Sequence, residues 1–194
     1  MAKWALLVAF LLSGIQSRAQ LWQPVKPLSA DYLLWSPTRR LRPSDFQMQV
    51  RPQNNLNQSF AFFGIQLQGM NLDLLGKGAN HMVQNFFQHS ASYLNPVDTL
   101  HTALELRYMQ TEWDIYEVAS RRLRQQLRAS AKRIILIGKP DPNELFRTAY
   151  DEAHKRVVQY ADETKYGLFL DKQLEWERQI ASELAALTDF ATAK

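Results

Sequence analysis

The residues best placed for chemistry lie between positions 106 and 133. Asp114, Glu117 and Arg121 are spaced by three and four, which puts them on one side of a helix. Two carboxylates so placed divide general acid and base work only beside a nucleophile or a metal. Without one they are ion-pairing residues worth ~0.2–0.5 kcal/mol per pair. A basic run follows with no acid inside it: Arg121, Arg122, Arg124, Arg128, Lys132 and Arg133. It offers a surface for an anionic envelope component or, more simply, cations that complement the C-terminal end of a helix dipole. The histidines, His81, His89, His101 and His154, include no pair four residues apart, so no H-x-x-x-H metal motif is present. The chain has no cysteine, which excludes a disulfide scaffold, a thiolate zinc cluster and a cysteine nucleophile. Trp22, Phe60, Phe62 and Phe63 read as core or edge cover. Phe60-Ala61-Phe62-Phe63 is also the best candidate for a strand on which a peptide docks by strand addition.

The elements that must position these residues are bounded by composition. At 194 residues, 46% hydrophobic and 22% charged, with 7 glycines and 8 prolines, the chain fits one ordinary globular domain. The net charge of +4 comes with no arginine–aromatic tract, so nucleic acid is not expected as a partner. Residues 1–19 carry a basic Lys3, an apolar stretch from Trp4 to Ile15 and small residues at Ser17 and Ala19. This is the pattern of a secretory signal cleaved after Ala19. The apolar run is shorter than the ~20 residues of a spanning helix. The expectation is an exported protein, periplasmic or extracellular, with a single domain over 20–194 and no membrane span.

Within that domain the pattern changes near Asn95-Pro96. Residues 28–95 hold short β-type runs at Asp31–Trp35, Phe46–Val50, Ser59–Leu67 and Met82–Gln88, with a long turn over Gly69–Asn80. Residues 99–190 read as helical. The spacing predicts one helix over 99–131 starting at Asp98 or Thr99, a short buried strand or connector at Ile134–Ile137, and a second helix over 143–164 stopped by Gly167. A third helix opens at Asp171. Strands followed by helices mean α+β, with a small antiparallel or mixed sheet preceding about three helices.

Three stretches in order resemble one family. The first is Trp35-Ser36-Pro37-Thr38-Arg39-Arg40-Leu41, ending at Ser44-Asp45-Phe46. The second is Leu106–Leu123, LRYMQTEWDIYEVASRRL, and the third is Tyr160–Trp176, YADETKYGLFLDKQLEW. They are similar to a domain-of-unknown-function family of secreted bacterial proteins predicted to be zinc-dependent proteases, with a zincin-like fold. The family's corresponding motifs are W-S-x-x-R-x-L…D-F, H-E-x-x-H within a helix, and T-x-H-G followed by Q-x-x-W. In an H-E-x-x-H helix two histidines bind zinc and the glutamate is the general base. The matching positions here hold Tyr108, Met109 and Glu112, and the third histidine is matched by Tyr166. A thioether takes no proton from water, and a neutral phenol with a pKa near ~10 is a poor zinc ligand. Positions that look structural in the family are kept: Gln110, Asp114, Ile115, Glu117, Leu123, Thr164, Gly167, Gln173 and Trp176.

The resemblance implies a zincin-like domain that has lost its zinc, its other cofactor needs being none, and its peptidase activity. Such a pseudoenzyme would bind a protein or peptide in the cell envelope. Tyr108, Glu112, Asp114 and Tyr166 would mark the remnant pocket. It is either a remodelled ligand site or, more simply, a filled core in which two phenols hydrogen-bond one carboxylate. The alternatives are a hydrolase with a rebuilt site around Glu112 and a structural envelope subunit.

Overall fold

A computed structural model of the chain describes residues 28–50, 58–69, 71–95 and 98–192. The expected leader over residues 1–19, the cleavage expected after Ala19, and Trp22 lie outside them. Alternation sets the sheet. In β3 (Val83–Gln88) Val83, Asn85 and Phe87 are buried while the residues between them are half-exposed. β1 (Tyr32–Leu34) and β2 (Phe63–Leu67) pair antiparallel with the two sides of β3, giving the order β1-β3-β2. Phe63 stacks on Trp113 at 5.9 Å between ring centroids, and Phe87 lies 6.1 Å from the same ring, so the sheet's inner face is closed by aromatics.

Residues 62, 64, 66 and 68 of the β2 strip turn their backbone toward β3. Phe62 O accepts from Gln88 N at 3.0 Å and Gln68 N donates to Met82 O at 2.8 Å, with Gly64 opposite Phe86 and Gln66 opposite Gln84. The period of an antiparallel ladder then points the amides of Phe63, Ile65 and Leu67 outward. No strand pairs with that edge among the described residues.

The expected long turn before β3 holds a 3₁₀ turn (Asn71–Leu74) and a short helix, α1 (Ala79–Met82). The run Phe46–Val50 is not a strand. Only isolated bonds tie it, Gln47 N to His89 O and Met48 N to Ser92 O. Its period-two pattern reflects one inward ring, Phe46 on Phe87, rather than a ladder.

The long helix α2 (Thr99–Ile137) spans 39 residues, about 58 Å at 1.5 Å per residue. Asp98 caps it by accepting from His101 N at 2.9 Å. It runs through Ile134–Ile137, which are helical and not the predicted strand. Ala131 and Ile134 continue the buried stripe, and Gly138 ends the helix at φ +69°. Four apolar residues in a row carry no period of their own, and helix continuity decided between the alternatives. The helices α3 (Pro142–Thr164) and α4 (Leu170–Ala186) pack against α2 and each other, followed by a 3₁₀ turn at Thr188–Phe190. Among the described residues no helix is long and apolar enough to cross a membrane.

The basic run is not a solvated helix end. Arg121 and Arg124 are buried. Both bond Glu117 Oε1 at 2.9 Å, Arg124 also reaches Val83 O and Phe190 O, and Arg121 reaches Leu184 O. Asn85 Nδ2 completes the cluster on Glu117 at 3.3 Å. Arg122 pairs with Glu183 at 2.7 Å and Arg128 with Asp189, while Lys132 and Arg133 are exposed. Positions 121, 124 and 128 follow the i, i+3, i+7 stripe, so half of the run faces inward.

Candidate functional site

Tyr108, Glu112 and Tyr116 recur every four residues on α2 and so form one stripe facing α3. Tyr160 of α3 stacks on Tyr108, ring centroids 4.9 Å apart and planes at 10°. Tyr166 lies 6.1 Å from Tyr108, and Tyr150 lies 6.3 Å from Tyr116. The chain thus brings together three of the positions singled out by sequence, Tyr108, Glu112 and Tyr166, over a separation of more than fifty residues.

The placement of Tyr166 depends on a turn of three left-handed residues. Lys165, Tyr166 and Gly167 have φ of 48°, 56° and 84°. Tyr166 N donates to Ala161 O at 3.0 Å, and Gly167 N donates to the buried Thr164 Oγ1 at 3.2 Å. A Cβ on Gly167 would stand 2.9 Å from Tyr108 Cβ. Gly167→Ala is therefore expected to lower stability by about 1–3 kcal/mol, read as a fall in melting temperature, since strain and a close contact act together.

The phenols do not hydrogen-bond the carboxylate, contrary to the simpler expectation. Tyr166 is 72% exposed. The buried Tyr160 hydroxyl turns away, donating to Gln173 Oε1 at 2.6 Å and lying 3.1 Å from Tyr108 O. Burial alone pushes the Glu112 carboxyl up to about 7. Burial, with the Glu112 charge adding to it, raises Tyr108 and Tyr116 far above the ordinary phenol value. Burial also raises Tyr160, against hydrogen bonds from Thr111 and Gln173. Tyr116 and Tyr160 are the members that sequence reading missed. The four-residue spacing of Tyr108, Glu112 and Tyr116 was the available signal for the first, while the spacing of Val157, Tyr160 and Thr164 marked the second as inward-facing on its helix without naming Tyr108 as its partner.

As a zinc site the arrangement does not fit. It offers one carboxylate and phenols held protonated by burial, where zinc takes imidazole, thiolate or carboxylate. Met109 is buried in the core, with no acid–base chemistry to offer. Among the described residues no group of three or more histidine, cysteine or acidic side chains is gathered. The histidines are dispersed. His89 Nδ1 lies 2.6 Å from Asp45 O, His101 pairs with Asp98 at its helix start, and His81 and His154 are exposed.

Asp114 does not join the cluster. It belongs to a groove of about 760 Å³ between residues 35–41, α2 and α4. There it accepts from Trp35 Nε1 at 2.7 Å and from Gln110 Nε2 at 3.0 Å, and Arg40 lies 3.4 Å away. Burial pushes its carboxyl up, partly offset by those bonds. Gln110 Oε1 in turn accepts from Leu41 N at 3.0 Å. Gln173 Nε2 donates to Thr111 Oγ1 at 3.0 Å, and Trp176 Nε1 donates to Glu163 at 2.8 Å. The residues that looked structural in sequence thus bind the opening segment onto α2 and α4 onto both α2 and α3. The chain matches no protein-family model, no curated protein and no solved structure.

Proposed function

We propose that the chain is a non-catalytic, exported relative of the zinc-dependent protease family it resembles, with a zincin-like fold. It holds an extended peptide or protein segment of the envelope along the outer edge of β2. The observation that carries this reading is the position of that edge. Its outward amides at Phe63, Ile65 and Leu67 have no strand partner among the described residues. The ring of Phe63 lies 6.2 Å from Tyr116, one helical turn from Glu112. Strand addition supplies backbone hydrogen bonds, and neighbouring side chains supply selectivity. The exposed Phe60 and Phe62 extend the apolar surface at the N-terminal end of the strand.

The test uses the full chain with a casein digest as a pool of extended peptides. Hydrogen exchange at the amides of Phe63, Ile65 and Leu67 is expected to slow when the pool is added. Elemental mass spectrometry after zinc loading and dialysis is expected to find well under one metal per chain. Unchanged exchange at β2 would overturn the docking mode. Zinc-dependent cleavage of the pool would overturn the loss of catalysis.

Glu112 favours one second reading, a hydrolase with a rebuilt site. A carboxyl near 7 suits general acid–base work at neutral pH. In that case Glu112→Gln abolishes a measurable turnover without lowering the melting temperature.

A further inference from the structure

The two ends of the helical layer carry apolar tips of opposite surroundings. At the turn between α3 and α4, Leu168 is 68% exposed and Phe169 55%, and Tyr166, Leu170 and Leu174 are also open to solvent. Residues 162–175 around them hold four carboxylates, Asp162, Glu163, Asp171 and Glu175, against two lysines, Lys165 and Lys172. Lys165 pairs with Asp162 at 2.7 Å and Lys172 with Glu175 at 2.8 Å, which leaves Glu163 and Asp171 as the surplus negative charge. The end is apolar with an acidic rim.

At the C-terminal end of α2, Leu136 is 80% exposed and Ile137 66%. Residues 132–147 hold Lys132, Arg133, Lys139 and Arg147 against Asp141 and Glu144. Asp141 is engaged as the cap of α3, accepting from Asn143 N at 2.8 Å. This end is apolar with a basic rim. Gly167 touches Tyr108, and from Tyr108 to Leu136 the helix advances about 42 Å, so the two tips are far apart on one molecule. They cannot meet within one chain.

We propose that these tips join copies of this chain head to tail, the Leu168–Phe169 knuckle of one seating against Leu136–Ile137 of the next. Each surface is complementary to the other and neither is complementary to itself. Like charges on the rims oppose a symmetric pairing of equal ends, while opposite charges favour the unequal one. A contact between two different patches is heterologous, so it propagates into rings or open chains rather than stopping at a dimer. The acidic excess at the α3–α4 turn also argues against an anionic membrane as its occupant, since such surfaces attract basic segments. The patches are small beside a standard interface, so the association is weak and depends on concentration. Charge on the rims makes it weaken with salt.

Sedimentation velocity on the full chain tests this. The weight-average sedimentation coefficient is expected to climb with concentration beyond the dimer value, and to fall back several-fold in association strength when salt is raised. Leu168→Ser with Phe169→Ser removes one tip, and Leu136→Ser with Ile137→Ser removes the other. All four side chains are exposed, so folding is kept. Each variant alone is expected to sediment as a monomer. An equimolar mixture retains one good tip on each partner and is expected to give a 1:1 dimer and nothing larger. Lys132→Glu with Arg133→Glu should abolish growth, and Asp171→Lys with Glu175→Lys in the mixing partner should restore pairing.

Three results would overturn the proposal. One is a wild-type chain that stays monomeric, including one that instead floats with phosphatidylcholine vesicles. Another is association that survives both tip variants, which would place it elsewhere in the chain. The third is a closed dimer that mixing the variants fails to restore, which would mean a symmetric contact.

Discussion

Replacing Glu117 with leucine is expected to lower the free energy of unfolding by about 3–5 kcal/mol, measured by urea denaturation at neutral pH. Two guanidiniums, of Arg121 and Arg124, bond this single carboxylate in a fully buried setting. Burial already pushes the Arg124 guanidinium down, with Glu117 opposing. Without Glu117, two buried cations are left with the carbonyl oxygens of Val83, Leu184 and Phe190, and the Trp35 ring 5.2 Å from Arg121, to hold them. The cost is mostly that of stranding them, not the worth of the pair. The triple change Glu117→Leu, Arg121→Met and Arg124→Met should therefore recover most of the loss. A triple variant as unstable as the single one would show that the ions contribute through bonds to the backbone instead.

Glu112, five residues earlier on the same helix, is expected to do the reverse. Glu112→Gln should stabilise the protein at pH 8 by up to roughly 3 kcal/mol, the free energy equivalent of moving a carboxyl from 4.5 to about 7. The sign follows from which form burial disfavours. Below pH 4.5 the carboxyl is protonated both folded and unfolded, and its burial costs nothing in charge. Between 4.5 and about 7 the unfolded chain ionises first, so stability drains away as pH rises. Above about 7 the full penalty is present. Melting curves of wild type and variant should coincide at pH 4 and separate progressively to pH 8. Equal stability at pH 8 would mean that Glu112 finds a partner in solution. Two carboxylates of equal length, on one helix, thus differ in the sign of their contribution because one has two cations and the other only rings.

That difference was not legible from residue type. The α+β order was, because alternation at Val83–Gln88 and 3.6-residue spacing after Asp98 are strong and local. The adjacency of Tyr108 and Tyr166 was reached only through the family resemblance. Helical spacing turned Tyr160 inward, but its stacking on Tyr108 depends on how two helices pack and had no local mark. Arg121 and Arg124 read in sequence as part of an anion-binding surface or as cations complementing the helix dipole, because arginine is rarely fully buried unless paired, and the partner's geometry is a property of the fold. The resemblance places Asp114 in the pocket with Tyr108, Glu112 and Tyr166, whereas its partner is Trp35, seventy-nine residues away in sequence, on the helix side it shares with Arg121. The strand expected at Phe46–Val50 and the break expected at Ile134 failed for a shared reason. Both are five residues or fewer, too short for period alone to decide.

The dependence of every layer on α2 has a consequence for how the molecule comes apart. β2, β3, α1, α3 and α4 all rest against this helix, and its buried stripe from Met109 to Ile134 is covered by different elements along its length. No element can detach without wetting part of that stripe, and none can stay in place once the stripe is lost. Opening of local pieces is therefore confined to the periphery, and the amides between Trp113 and Leu127 exchange with solvent only by global unfolding. Their exchange free energies should agree with one another and with the free energy from denaturant, as expected of a molecule that unfolds in one cooperative step.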